Sequence, residues 1–142
     1  MIHQIRRSAI VARSDAQMYA LVNDVESYPR RFAWCSGARI IERGDNALSA
    51  RLELRLGAMT QAFTTRNTLE PPRHIAMQLV EGPFRSLGGG WTFTPLGDDG
   101  CKVALALDFE YSGRLMAPFM RIGFEKLADR MVDEFCREAM RE

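Results

Sequence analysis

The sequence predicts an α+β fold in which a curved antiparallel sheet wraps around a long C-terminal helix, and three observations predict it. From about residue 38 to residue 111, apolar and polar residues alternate with a period of two, interrupted by turn residues. That is the pattern of an antiparallel meander with one wet face. From about Arg114 to Glu142 the apolar period changes to 3.6. A capped helix opens near residue 14, ahead of the meander. A sheet with one apolar face must bury it, and the C-terminal helix is the only element long enough to cover it. A curved sheet gripping a helix leaves a cavity between them.

The elements follow in order. Ile2 to Ala12 alternates loosely through Ile5, Ile10 and Val11 and reads as a first strand. Ser14-Asp15-Ala16-Gln17 is a capping box, and Met18, Leu21, Val22 and Val25 follow at helical spacing. Tyr28-Pro29 stops that helix or opens a new turn, because the residue before proline avoids the helical region. Ala38 to Glu42 is a strand that turns at Gly44-Asp45-Asn46. Ala50, Leu52, Leu54 and Leu56 then alternate with Arg51, Glu53 and Arg55. Phe63, Thr65, Asn67 and Leu69 form the next inward set, ended by Pro71-Pro72. Ile75, Met77 and Leu79 precede Gly82-Pro83, and Trp91 to Thr94 is followed by a turn over 96–100. Val103, Leu105, Leu107, Phe109 and Tyr111 point inward, opposite Lys102, Asp108 and Glu110. In the last helix Phe124, Leu127, Ala128, Met131, Val132, Phe135 and Ala139 make the apolar stripe, and Pro118 is expected to kink or break it.

The chain is read as one domain, residues 1–142. A domain of this size buries roughly 68–70% of its unfolded surface, enough for a sizeable core. Nineteen Lys and Arg against eighteen Asp and Glu leave a net charge of +1, so no global field steers it to nucleic acid, and no DNA partner is expected. Three widely spaced cysteines (Cys35, Cys101, Cys136) form no C-x-x-C pair and indicate reduced thiols in a cytosolic compartment. The N-terminus lacks the apolar core of a signal peptide, and no apolar run reaches the ~18 residues of a membrane span. The expected location is the cytoplasm, extending to the periphery of the inner membrane.

Catalytic equipment is not evident. His3 and His74 fall on wet-looking faces without metal-ligand spacing, so no metal site is expected. Asp108 and Glu110 share one strand face at i, i+2, which fits paired carboxylates, but they share it with Lys102 as a solvated exterior would. Gly88-Gly89-Gly90 lacks the Lys-Ser/Thr of a phosphate loop and precedes a strand, so bending or bulging of that strand is its reading. Cys35 beside Trp34 has no base next to it and reads as a buried structural thiol. The remaining signal is apolar: inward aromatic and methionine residues under one helix, able to open a pocket of ~300–1,000 Å³. Met116 and Met120 suit an adaptable mouth.

Val22-Asn23-Asp24-Val25-Glu26-Ser27-Tyr28-Pro29 with Trp34-Cys35 resembles the signature of the coenzyme-Q-binding START-like proteins of the polyketide cyclase/dehydrase superfamily. So do Phe63-Thr64-Thr65-Arg66-Asn67, Gly82-Pro83-Phe84, Leu87-Gly89-Trp91-Phe93, Leu107-Asp108-Phe109-Glu110, and Met131-Val132 with Phe135. The motifs span nearly the whole chain in the family's order. They depart from it at Arg30-Arg31-Phe32-Ala33, where the family prefers a proline near position 33.

The resemblance implies a helix-grip fold with a tunnel between the sheet and the C-terminal helix. It also implies a non-enzymatic carrier or chaperone for ubiquinone or a similar isoprenoid lipid, supporting respiration or quinone biosynthesis. No cofactor is required beyond that lipid. Each buried CH₂ of an isoprenoid tail contributes about 0.8 kcal/mol. The lining expected is Phe63, Met77, Leu79, Pro83, Phe84, Trp91, Phe93, Leu107, Phe109 and Tyr111, faced by Phe119, Phe124, Leu127 and Met131. The bacterial branch, which this chain resembles most, includes a ribosome-association toxin that binds the large ribosomal subunit and blocks subunit joining. That alternative would use basic residues Arg6-Arg7, Arg30-Arg31 and Arg66. Transient contact with a membrane surface accompanies the carrier reading. A third reading, an aromatic polyketide cyclase-like enzyme, needs polar groups in the tunnel, for which Thr65, Asn67 and Tyr111 are the candidates.

Overall fold

A computed structural model describes residues 1–113 and 116–141. Seven antiparallel strands form one sheet in the order β1-β7-β6-β5-β4-β3-β2. They are β1 (His3–Val11), β2 (Cys35–Arg43), β3 (Ala47–Leu56), β4 (Met59–Glu70), β5 (His74–Glu81), β6 (Phe84–Pro95) and β7 (Cys101–Tyr111). Strands β2 to β7 are joined in sequence by short turns, and β1 closes the far edge by pairing with β7, His3 opposite Phe109 and Val11 opposite Cys101. The fold is the helix-grip arrangement, with α3 (Pro118–Ala139) as the gripped helix.

Helix α1 (Asp15–Asn23) starts where its capping box specifies. The Gln17 amide N–H donates to Ser14 Oγ at 3.1 Å, and the Ser14 amide donates to Gln17 Oε1 at 2.8 Å. Both otherwise orphaned amides are satisfied. A 3₁₀ turn (Val25–Ser27) and the single-turn α2 (Tyr28–Arg31) carry the chain into β2. Tyr28-Pro29 therefore opens a new turn, with Pro29 in its first positions, where its missing N–H has no consequence.

Pro118 does not kink the last helix; it begins it. Ala117 is the extended N-cap and Pro118 the first helical residue, a position that suits its fixed φ. The expected start at Arg114 falls outside the described residues, as does Glu142. Met116 and Met120, expected at an adaptable mouth, are instead buried, at 1% and 6% exposure. Ile10 faces outward. It projects from β1 at 75% exposure, because Ile5 and Val11 take the buried positions.

The glycine run lies within β6 at continuous register, Gly88 opposite Asp108 and Gly90 opposite Ala106. The irregularity between β6 and β7 falls at Phe84–Ser86 instead. Close backbone approach explains the glycines. A Cβ on Gly89, whose φ is +140°, would sit 1.9 Å from the Ala106 carbonyl oxygen. No helix among the described residues is long and apolar enough to cross a membrane.

Candidate functional site: an apolar cavity

The cavity lies between the concave face of the sheet and α3, with the α1–α2 segment as its third wall. Each strand contributes its central inward positions: Ala50, Leu52 and Leu54 from β3, Phe63, Thr65 and Asn67 from β4, Ile75 and Met77 from β5, Leu87 and Trp91 from β6, Leu105 and Leu107 from β7. Helix α3 adds Phe124, Ala128, Met131 and Phe135, and the third wall adds Val22, Val25, Tyr28 and Trp34. Among the described residues no charged side chain lines it. Its volume is about 80 Å³, below the ~300–1,000 Å³ of pockets that enclose a drug-sized ligand. Leu52, Phe63, Met77 and Met131 are only half-buried, so this part of the wall is the least tightly packed.

Phe63, Met77, Trp91, Leu107, Phe124 and Met131 are on the wall as expected from sequence. The other eight expected residues are elsewhere. Phe84 and Phe109 pack behind Phe124, with ring centroids 4.9 and 5.1 Å from it. Phe93 is fully buried against Tyr19 at 5.8 Å, and Leu127 is buried in the core outside the cavity wall. Leu79 is half-buried beyond the cavity's end, and the Pro83 carbonyl accepts from the Ser112 amide. Tyr111 donates its hydroxyl to Glu125 Oε2 at 2.6 Å, under the Arg121 guanidinium at 4.5 Å. Phe119 is 55% exposed. The physical reason is common to most of them. Alternation identifies the face of a strand, not the position along it, and the cavity spans only the middle of each strand. The ends of the same face are filled by ring-on-ring packing.

The polar inventory is small. Thr65 Oγ1 donates to Asn67 Oδ1 at 2.9 Å, so these two partly satisfy each other. The Tyr28 hydroxyl donates to the Val22 carbonyl. Burial, then the nearby Cys35 and Asp24, pushes its pKa far above that of a free tyrosine. The Trp34 indole N–H, also buried, meets no acceptor among the described residues. Cys35 is buried, its Sγ 3.2 Å from the Gly37 carbonyl, and burial raises its pKa. His3 is not simply a wet-face residue, since its ring stacks on Phe109 at 5.3 Å. His74 Nδ1 lies 3.3 Å from Thr92 Oγ1. Among the described residues no group of His, Cys, Asp or Glu could hold a metal.

Three of the five residues of the expected basic patch are ion-paired, while Arg30 is exposed with no ion pair among the described residues. Arg6 pairs with Asp108 at 2.8 Å, Arg7 with Asp129 at 2.6 Å and Arg31 with Glu138 at 3.3 Å. Arg66 is exposed on the outer face of the sheet, near Arg39 and Arg51, which stand directly opposite each other on β2 and β3. None of these three has an ion pair among the described residues.

A family model described as "Polyketide cyclase / dehydrase and lipid transport" matches residues 11–136. The chain is 42% identical over 132 residues to the "Ribosome association toxin RatA" of Escherichia coli K12, covering 93% of this chain and 84% of that protein. It is 27% identical over 139 residues to the mitochondrial "Coenzyme Q-binding protein COQ10" of Drosophila melanogaster, covering 95% of this chain and 57% of that one. The Zhui aromatase/cyclase of a Streptomyces species superposes with a TM-score of 0.87 at 21% identity, over 99% of this chain and 95% of that one. With its helix-grip fold and these matches over most of its length, the chain belongs to the polyketide cyclase/dehydrase (START-like) family, in the branch of its RatA-named relatives.

Proposed function

We propose that the chain is a non-enzymatic binding protein for an isoprenoid quinone of the ubiquinone type, acting as a carrier or chaperone in respiration or quinone synthesis. The observation that carries this reading is the uncharged cavity under α3, which offers apolar wall on every side and neither acid, base nor nucleophile. A cyclase-like activity would need such a group; Thr65 and Asn67 are engaged with each other and Tyr111 lies outside the wall. The coenzyme Q-binding name of a relative supports the ligand class. A quinone enters by displacing the half-buried Leu52, Phe63, Met77 and Met131, of which the methionines repack most readily. Exposed Met59, Phe119 and Ile122 give the carrier an apolar corner for transient contact with a membrane surface. The test is native mass spectrometry and lipid extraction of the protein expressed in a quinone-making host. Co-purifying quinone, or saturable binding of added short-tailed ubiquinone, is expected. Neither being found overturns the reading.

A second reading is association with the large ribosomal subunit in the cytoplasm. Relatives about 42% identical over most of this chain carry the ribosome-association name. The unpaired Arg39, Arg51 and Arg66, rather than Arg6-Arg7, supply the phosphate-binding charge. Sedimentation through sucrose gradients at two salt concentrations decides it. Co-migration with ribosomes that weakens in salt and in R39E/R51E supports it, and protein remaining at the top at low salt ends it.

A further inference from the structure

The cavity wall contains one group with no structural explanation. Trp34 is 5% exposed and forms part of the wall at the entry to β2. Its ring is held on several sides. Phe32 stacks on it at 4.8 Å with 19° between planes, and the edges of Tyr28 and Phe135 meet it at 5.9 and 6.2 Å. These contacts fix where the indole sits. They leave its N–H buried with no acceptor among the described residues. A buried donor left unpaired is destabilising, because it gives up its hydrogen bond to water, and a Phe at this position would carry no such penalty.

Its neighbour in the cluster shows the contrast. Tyr28 also brings a polar edge into the aromatic packing, and that edge is satisfied by the Val22 carbonyl. The rest of the wall is mostly apolar, with Tyr28, Thr65 and Asn67 as its other polar members. Asn67 accepts from Thr65 through Oδ1, and no hydrogen bond is made by its Nδ2 among the described residues. Among the described residues no carboxylate lines the cavity. The Trp34 indole N–H is therefore unused donor capacity on a residue of the wall, covered by neighbouring atoms until the wall is displaced.

We propose that Trp34 is a specificity-determining residue whose indole N–H donates to a carbonyl oxygen of the bound ligand, so that the cavity selects carbonyl-bearing isoprenoids over hydrocarbons of the same size. This rests on the reading that the cavity takes an isoprenoid ligand. A quinone ring fits the donor because its oxygens accept and carry no proton. One unpaired donor in an apolar wall gives no corresponding gain to a plain polyisoprene. Only a ligand that displaces the half-buried part of the wall can reach the indole, so recognition of the ring and opening of the cavity are coupled.

The experiment compares two probes on the full chain: ubiquinone with a two-isoprene tail, and squalene as a carbonyl-free isoprenoid. With W34F the quinone dissociation constant is expected to rise about threefold to tenfold, the range of one net hydrogen bond, while squalene binding stays within twofold. Equal loss for both probes, or no loss for either, overturns the proposal. Ultraviolet resonance Raman of the wild-type protein gives a reading that does not depend on W34F folding. The indole N–H mode of one of the chain's two tryptophans is expected to move to its hydrogen-bonded position when quinone is added and to stay unmoved with squalene. No quinone-dependent change overturns the proposal while leaving quinone binding itself intact. Wild-type protein that binds neither probe overturns the ligand reading, and this inference with it.

Discussion

Two aromatic clusters stand at opposite ends of α3, about 16 Å apart along the helix axis, and they are built differently. At the Phe135 end, Tyr28, Phe32, Trp34 and Trp91 surround the ring with centroids 4.7–6.2 Å away, and all five rings are buried. Segments from α2, the entry to β2, and β6 converge there. At the Phe124 end, Phe84 and Phe109 pack on the ring, but the first two turns of α3 leave Phe119 and Ile122 more than half exposed. Leu56 on the β3–β4 hairpin approaches Gly123 so closely that a Cβ there would lie 3.4 Å from it. Met59, opposite Leu56 on that hairpin, is 49% exposed. One end is sealed by an added layer of chain; the other borders apolar surface open to solvent. The cavity runs between them, so its closed end is the aromatic box and its other end lies toward the hairpin and the first turns of α3.

The largest effect removes the backbone on which both ends depend. G89A drives a Cβ into the Ala106 carbonyl from a φ that side chains avoid. It is expected to destabilise by more than about 3 kcal/mol or to leave little folded protein, read by urea denaturation and by soluble yield. Next come the two hub rings. F135A and F124A each fall in the ~3–5 kcal/mol range for deleting a buried Phe, with F135A near the top because the sealed box cannot collapse. F124A is expected near the bottom, where Met120 and Met131 can refill the space. Equal losses in urea titrations would erase the distinction between the ends.

The thiols give a subtler comparison, since all three cysteines lie away from the Phe124 end. Cys35 follows Trp34, Cys136 follows Phe135, and Cys101 couples electrostatically to Cys136. Burial first, then Asp133 and Cys101, pushes the Cys136 thiol up to about 11 from an ordinary value of 9.0. The folded state keeps a proton that the unfolded chain releases, so this contribution is present below pH 9 and is lost as pH rises toward 11. Urea midpoints are expected to fall over that window, and to fall less in C136A. A C136A curve parallel to wild type would assign the decline to other groups. The smallest effect belongs to the open corner: F119S/I122S should change stability by no more than about 0.5 kcal/mol. The same variant should bind lipid vesicles less well in flotation assays, which W34F should not.

Much of this was legible in the sequence because antiparallel strands with one wet face write their orientation in alternation. Leu105 and Leu107 inward against Lys102 and Asp108 outward is such a case. The Ser14–Gln17 box likewise fixed the start of α1. What alternation does not encode is distance along a strand. Phe93 and Phe109 share a face with cavity residues yet pack at its ends, and they were indistinguishable from Trp91 and Leu107 beforehand. The third wall was missed for another reason. Val22, Val25, Tyr28 and Trp34 come from a helix end, a 3₁₀ turn and a loop entry, where no period exists to mark an inward side. The available signal was the motif they share, not a pattern in their polarity. Pro118 was misplaced because a helix-period stripe runs smoothly through it and only the extended Ala117 reveals a start.

The strand order carries a consequence for synthesis. The first strand has no partner until residues 101–111 exist, and the concave face has no cover until Pro118–Ala139 has followed them. The two closures of greatest sequence separation, β1 on β7 and α3 over the sheet, wait for residues 101–139. A nascent chain halted before α3 presents an open apolar trough, and it is the synthesis of α3 that closes the cavity.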